Sequence, residues 1–255
     1  MSHVMKLMIN RKNQDSSQKH EFWSHFHHML DISVYGNEKI FERLNHYSSV
    51  NNFFEKNFLL ANIPEKYFDF ELDKIRDKIE TLEPNIEQIN KIEKYIDLID
   101  NAAKKGTGLY ISGSHGVGKT AIAIIILKTA IKHYYPSFFS RSTEIIEFVR
   151  DGWKNEDKKA YWSYVVNNSI FFVIDDIGRL FSEISDYERS NIDSIFTKRD
   201  DSNLCTIITA NHSLETNKDL LGDSLYSNFR ERLVEVKLLG EDYRNIIGQC
   251  LLDRL

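Results

Sequence analysis

The chain is 255 residues long and 42% hydrophobic, with 3 prolines and a formal charge of -5. That length suits one α/β domain with a small appendage, and the apolar content can bury a core, which excludes wholesale disorder. The longest apolar run, AIAIIIL at Ala121 to Leu127, falls far short of the ~20 residues that span a bilayer, the acidic balance argues against a coat for duplex DNA while leaving room for a local basic groove, and Cys205 and Cys250, the two cysteines, supply neither a disulfide framework nor a cysteine zinc site.

The N-terminal MSHVMKLMINRKNQD breaks its apolar stretch at Lys6 and shows no small-residue cleavage site. It does not read as a secretory signal, and a cytoplasmic location is expected. Residues 1–60 are polar and aromatic, with HEFWSHFHHML and EKIFERLNHY as short helices of a mainly helical N-terminal region. His20, His25, His27 and His28 invite a metal, but irregular spacing and the lack of a nearby cysteine suit solvated or helix-packing histidines better. Pro64 in NIPEKYF, Asn62 to Phe68, marks a break and the expected boundary with a second unit, residues 61–255. After Pro84, Ile86, Ile89, Ile92, Ile96 and Ile99 recur at helical spacing, the signature of a core-facing stripe, and Gly106 supplies the stop.

GLYIS, Gly108 to Ser112, is apolar and β-prone, and it leads into GSHGVGKT, Gly113 to Thr120. In G-x-x-x-x-G-K-[ST], small residues let successive backbone N–H groups turn toward phosphate oxygens. The lysine reaches the β- and γ-phosphates, and the hydroxyl ligates Mg²⁺. Gly113, Ser114, His115, Gly116, Val117, Gly118, Lys119, Thr120 and Ala121 form the expected polyphosphate-binding set, with Thr120 also on the metal. TAIAIIILKTAIKHYY is expected to run as a helix unbroken to Pro136, so its N-terminal dipole faces the phosphates. The strand–loop–helix context separates this stretch from a glycine turn with a chance lysine.

A strand is expected at SFFS, Ser137 to Ser140, then a helix TEIIEFVRDGW that Ser142 or Thr143 can cap. RDGWKNEDKKAYWSY interleaves Arg150, Lys154, Lys158 and Lys159 with Trp153, Tyr161 and Trp162. That composition suits single-stranded nucleic acid, and equally a charged helix with a buried aromatic face. SIFFVIDDIG, Ser169 to Gly178, reads as a buried parallel strand delivering Asp175 and Asp176 to the sheet's catalytic edge. Asp175 is placed on Mg²⁺, and Asp176 on the attacking water as orienting group or base. LCTIITAN ends in Asn211, either a contact to the water or γ-phosphate or a turn-initiating asparagine. In SNFRERLVEV, Arg230 and Arg232 precede an apolar strand. Such an arginine stabilises phosphoryl transfer, in trans if it comes from a neighbouring subunit, or else makes a surface salt bridge.

In this order the motifs resemble those of the AAA+ ATPases, and within them the DnaC/IstB-type helicase loaders, over Ala61 to Arg244. ANIPEKY is similar to the family's lead-in segment, LYISGSHGVGKT to its Walker A motif and FFVIDDIG to its Walker B motif. SIFTKRDDSNLCTIITANHSL is similar to the helix, arginine and sensor-one stretch, with Arg199 and Asn211. SNFRERLVEVKLLGEDYR is similar to the box that carries the arginine finger, best matched by Arg232, followed by Gly240 and a terminal Arg244 at the nucleotide. The resemblance implies an α/β P-loop core with a parallel sheet sandwiched by helices. It also implies ATP with Mg²⁺, oligomers with an arginine finger in trans, and ATP hydrolysis coupled to remodelling a partner on DNA. The implied partners are a replicative hexameric helicase, engaged through the N-terminal region, and single-stranded DNA, with no membrane. Neither the cysteine zinc domain of some loaders nor a multi-helix lid after Arg244 is expected from these residues, so a minimal lid or none is the expectation.

Other P-loop classes explain less. A small-molecule kinase has no use for the Asp-Asp strand with a trans-acting arginine, and TANHSL does not supply a GTPase's guanine motif. Within the resemblance, loading a replicative helicase is favoured by the acidic balance and the aromatic, helical N-terminus. Assisting a transposase, as IstB-like members do, and a structural ATP-binding protein with little turnover are the alternatives.

Overall fold

The structure is a computed structural model. It describes residues 22, 24–25, 27–29, 53–73, 76, 83–151, 155–181, 184–240 and 242.

Five parallel strands form the centre: β1 (Gly108–Gly113), β2 (Ser137–Arg141), β3 (Phe171–Asp175), β4 (Cys205–Ala210) and β5 (Leu233–Leu238), in the order β2-β3-β4-β1-β5. Every residue of β1 and β4 is buried, as befits parallel strands covered on both faces. Successive side chains of a strand point to opposite faces. Leu109 and Ile111 enter one core cluster with Val173 and Ile207, while Tyr110 enters the other with Phe172 and Ile208. Helix α1 (Phe53–Leu60), α2 (Glu83–Asp97), α3 (Ile99–Lys105) and α4 (Lys119–Lys132) contribute to the first cluster. The second is built from α5 (Ser142–Asp151), α6 (Glu156–Asn168), the single turn α7 (Ile177–Leu180), α8 (Asp186–Asp201), the single turn α9 (Lys218–Leu221) and α10 (Asp223–Arg232). This is the α/β P-loop architecture expected from the sequence. Among the described residues, no helix is long and apolar enough to cross a membrane.

Several local expectations are corrected. Ile89, Ile92, Ile96 and Ile99 are buried, but Ile86 is 43% exposed. The inward face of α2 continues instead through Asn85, whose amide donates to Leu239 O (2.6 Å) and accepts from Leu239 N (2.9 Å). With Gln88, which accepts from Lys237 N at 3.2 Å, it covers backbone groups at the free edge of β5. Helix α4 ends at Lys132, short of Pro136, because Tyr134 turns to φ 62 and proline disfavours helix in the residue before it. The expected Ser142 or Thr143 cap is replaced by Glu144, whose carboxylate accepts from Arg141 N at 3.0 Å. The same carboxylate holds Asn62 Nδ2 at 3.2 Å, and Asn62 Nδ2 also reaches Phe139 O at 3.1 Å. This ties the lead-in segment to β2. Lys128, buried in α4, donates to the carbonyls of Tyr67, Phe68 and Phe70 and fixes the segment's far end.

The boundary expected at residue 61 is not a break in packing. Leu59 and Leu60 of α1 are buried, and Phe22 and Met29, in helical residues further upstream, belong to the two core clusters. EKIFERLNHY lies outside the described residues. His25 packs on α6, with its ring stacked on Tyr164 (centroids 5.4 Å apart) and Nδ1 3.1 Å from the Tyr164 hydroxyl. Burial, and then the nearby His28, push its pKa down from 6.5 to about 4. The folded state therefore holds His25 neutral where the unfolded chain would protonate it. That contribution to stability is complete above pH 6.5 and is lost as pH falls toward about 4. Amide protection factors, corrected for the intrinsic pH dependence of exchange, are expected to fall at residues 22, 24–25 and 27–29 over that window, ahead of those in β1. Unchanged protection at pH 4 would contradict this.

Candidate functional site

The carboxyl ends of β1, β3 and β4 meet at one edge of the sheet, where ligands of open α/β folds bind. β1 ends at Gly113, the loop turns through Gly116 (φ 78) and Gly118 (φ 97), and α4 begins at Lys119. A side chain at Gly118 would be strained by its positive φ, and a Cβ on Gly116 would collide with the Asp242 carboxylate. Val117 is buried and anchors the loop, Ala121 is buried at the start of α4, and Ser114 and His115 are exposed. Ser114 Oγ donates to Gly240 O at 2.9 Å. Lys119 is folded back on the loop: Nζ donates to Gly113 O (2.8 Å), Ser114 O (2.7 Å) and Asn211 Oδ1 (3.1 Å).

Beside the loop stands the acidic pair. Asp175 Oδ1 accepts from Thr120 Oγ1 at 2.7 Å and from Thr209 Oγ1 at 2.7 Å. Thr209 Oγ1 in turn accepts the Asp176 backbone N–H at 2.9 Å. Asp176 has a left-handed backbone, φ 63. Its Oδ1 accepts from Asn211 Nδ2 at 3.3 Å, and its Oδ2 lies 2.9 Å from Arg179 Nε. Asn211 thus bridges Lys119 and Asp176 with its two amide atoms. Thr120 and Asp175 offer adjacent hard oxygens, a donor set that fits Mg²⁺ completed by water and phosphate oxygens.

Two members of this cluster escaped the sequence reading. Thr209 is one of two threonines in an otherwise apolar strand, the one placed one residue from the tip, and that position was the available signal. Arg179 follows Asp176 by three residues, the spacing of neighbours on a helix.

The loop after Asn211 is braced. Leu214 N donates to Glu235 Oε1 at 3.0 Å, Asn217 Nδ2 to the Tyr110 hydroxyl at 2.8 Å, and that hydroxyl to His212 O at 3.2 Å. Glu215 accepts from the Tyr226 hydroxyl on α10. In the last turn of α10, the exposed Arg230 rests over the Tyr226 ring, 5.8 Å from its centroid. Arg232 is engaged within its own chain: Nε lies 2.7 Å from Asp200 Oδ1 and Nη1 3.4 Å from Asn203 Oδ1. Leu233 pairs with Gly108, whereas Leu238 pairs with Gly113. Arg232 therefore sits about 16 Å, the rise of five strand residues, from its own phosphate loop.

Other residues singled out in the sequence lie away from this cluster. Arg199 is buried and donates to Val166 O (2.7 Å), Ser169 O (3.0 Å), Cys205 O (2.8 Å) and Thr206 Oγ1 (3.1 Å). Burial pulls its pKa down to about 9. It braces the amino ends of β3 and β4. In the basic and aromatic stretch, Arg150 pairs with Glu188, Lys158 is exposed, and Lys159 lies 3.7 Å from Glu156. Tyr161 and Trp162 are buried against Phe138, so these two rings serve the core and are not available for base stacking. Trp153, Lys154 and Arg244 lie outside the described residues.

The profile of the family described as IstB-like ATP binding protein matches residues 88–245. No curated protein matches the chain at a significant level. The crystal structure of the DnaC helicase loader is similar with a TM-score of 0.56 at 26% identity, over 69% of this chain and 99% of that one. DnaI gives a TM-score of 0.55 at 20% identity, over 70% and 93% of the two chains. AMPPCP-bound DnaA from Aquifex aeolicus gives 0.52 at 19%, over 66% and 51%. At their identities the last two bear on the fold alone. With the phosphate loop, the paired aspartates and the sheet order already in place, the family match completes the assignment: the chain belongs to the IstB-like ATP-binding family, AAA+ proteins of the DnaC/IstB type.

Proposed function

We propose that this protein is an ATP-hydrolysing helicase loader. The observation that carries the reading is the joined cluster at the sheet edge, in which Asn211 bridges Lys119 and Asp176 while Thr120 and Thr209 both hold Asp175. Bound MgATP supplies the phosphoryl group and the charge that offsets its oxygens. The N–H groups from Gly113 to Ala121 cradle the phosphates, and Lys119 exchanges its loop carbonyls for β- and γ-oxygens. Thr120 and Asp175 hold Mg²⁺. Asp176 takes the proton of the attacking water, and Asn211 orients that water. Arg244 reaches the nucleotide from the segment that also carries Gly240. An arginine at the end of α10 acts on the ATP of a neighbouring copy.

The similarity to the DnaC helicase loader, over nearly all of that chain, supports a replicative hexameric helicase as the partner. Residues 1–60 are the region proposed to bind it, in the cytoplasm of a bacterial cell. Single-stranded DNA is the second partner, through Arg150, Trp153, Lys154, Lys158 and Lys159. The match to the IstB-like family profile favours a second reading, an ATPase helper of a transposase. Co-purification of the tagged protein from its host in the presence of ATP separates them. A hexameric helicase in the eluate is the expected result, and a transposase in its place would shift the assignment to the second reading.

A further inference from the structure

Resting on the reading that Asp176 receives the water proton, we infer that Arg179 is a brake on hydrolysis, released when a phosphate oxyanion draws its guanidinium away from Asp176. The Asp176 backbone is fixed, since its N–H is held by Thr209 Oγ1 and its φ is 63. The carboxylate can therefore change partners only by rotating its side chain. Both its oxygens have N–H donors: Asn211 Nδ2 on Oδ1 at 3.3 Å and Arg179 Nε on Oδ2 at 2.9 Å. Asn211, at the end of β4, also touches Lys119, so its bond to Asp176 belongs to the phosphate-loop network. Arg179 comes from outside it. Its side chain is 70% exposed against 30% for Asp176, so the ion pair runs from the site mouth into solvent.

A guanidinium on Oδ2 fills a direction from which water would approach and holds that oxygen toward α7. Before Asp176 can take a proton there, the pair must open. Pairs this exposed are weak, and a phosphate, which a guanidinium can grip bidentately, is a stronger competitor than a single carboxylate oxygen. Two sources of that phosphate lie within the proposed function: the γ-phosphate of ATP and the backbone of a single strand. Arg179 is thus a positioning residue for Asp176, inhibitory while paired and permissive once released.

The test compares steady-state ATP turnover of wild type and Arg179→Ala, with ATP alone and with added oligothymidylate, alongside binding of a fluorescent ATP analogue. With ATP alone, Arg179→Ala is expected to raise kcat roughly two- to fivefold, the range to which an exposed ion pair corresponds, at unchanged ATP affinity. A merely structural role would lower kcat or move affinity with it. Stimulation of wild type by oligothymidylate that is absent from Arg179→Ala identifies the nucleic-acid strand as the releasing phosphate. Because ATP at saturation already brings its γ-phosphate, a raised Arg179→Ala rate with ATP alone rules out the γ-phosphate as the releasing group, and absence of any oligonucleotide effect on wild type then overturns release by a phosphate. A kcat for Arg179→Ala equal to or below wild type, with ATP bound normally, overturns the brake. Absence of ATP binding, or full turnover in Asp176→Asn, would instead sink the underlying assignment of Asp176.

Discussion

Asp176→Asn is expected to keep ATP bound and to lower turnover by on the order of a hundred- to ten-thousandfold, the contribution typical of a positioned proton acceptor. Asparagine preserves the shape of the side chain and can still hydrogen bond to Asn211, but it cannot take a proton. Asp175→Asn is expected to act differently. Asp175 accepts from the hydroxyls of Thr120 and Thr209 and is the proposed metal carboxylate, so its loss should weaken MgATP engagement before it slows chemistry. Nucleotide affinity and single-turnover rate measured on both variants give the comparison. Equal loss of binding in the two would show that the roles are wrongly divided between neighbouring aspartates.

The second large effect concerns α10. Arginine fingers contribute roughly a thousandfold or more where they act, and the backbone of Arg232 lies about 16 Å from its own phosphate loop. Arg232 is half-buried in a pair with Asp200, an interaction worth about 1 kcal/mol or less at such exposure, so a neighbour's γ-phosphate can displace it. Arg230 is exposed on Tyr226, which hydrogen bonds to Glu215 in the loop that follows Asn211. Arg232→Ala and Arg230→Ala, each mixed with Lys119→Ala, distinguish them. The variant lacking the finger should be nearly inactive alone and partly rescued on mixing, since each protein supplies what the other lacks at one shared interface. Wild-type turnover should rise more than linearly with protein concentration. Linear dependence with both arginine variants fully active would mean that the protein hydrolyses ATP as a monomer.

The parts of the fold that read directly from the sequence are those whose physics is local. Gly113 to Thr120 must be contiguous to wrap a polyphosphate, and buried parallel strands announce themselves as short apolar runs, so β1, β3 and β4 fall where expected. What escaped depends on contacts across the chain. Thr209 gains its meaning only because the parallel pairing of β3 with β4 sets it beside Asp175. The Asp200 partner of Arg232 is 32 residues away and could not be seen from SNFRERLVEV. Ile86 fits the helical stripe as well as its neighbours do, yet the face of α2 is turned by Asn85 bonding to Leu239. The rings of Tyr161 and Trp162 look alike in sequence whether they stack on bases or on Phe138, and only the packing places them in the core.

Whether the loop from Gly113 to Thr120 works on ATP is decided by binding and hydrolysis of MgATP by the purified protein, with Lys119→Ala as the control. Lys119 already occupies the loop through three hydrogen bonds, to Gly113, Ser114 and Asn211, and no other lysine or arginine lies between Gly113 and Thr120 to offset the β- and γ-phosphate charge. The wild type should bind ATP in a magnesium-dependent manner and release phosphate, and Lys119→Ala should lose at least about a hundredfold in turnover, the scale of removing one electrostatic contact to a transferring group. Undiminished phosphate release by Lys119→Ala would show that the phosphate loop is not the site of hydrolysis.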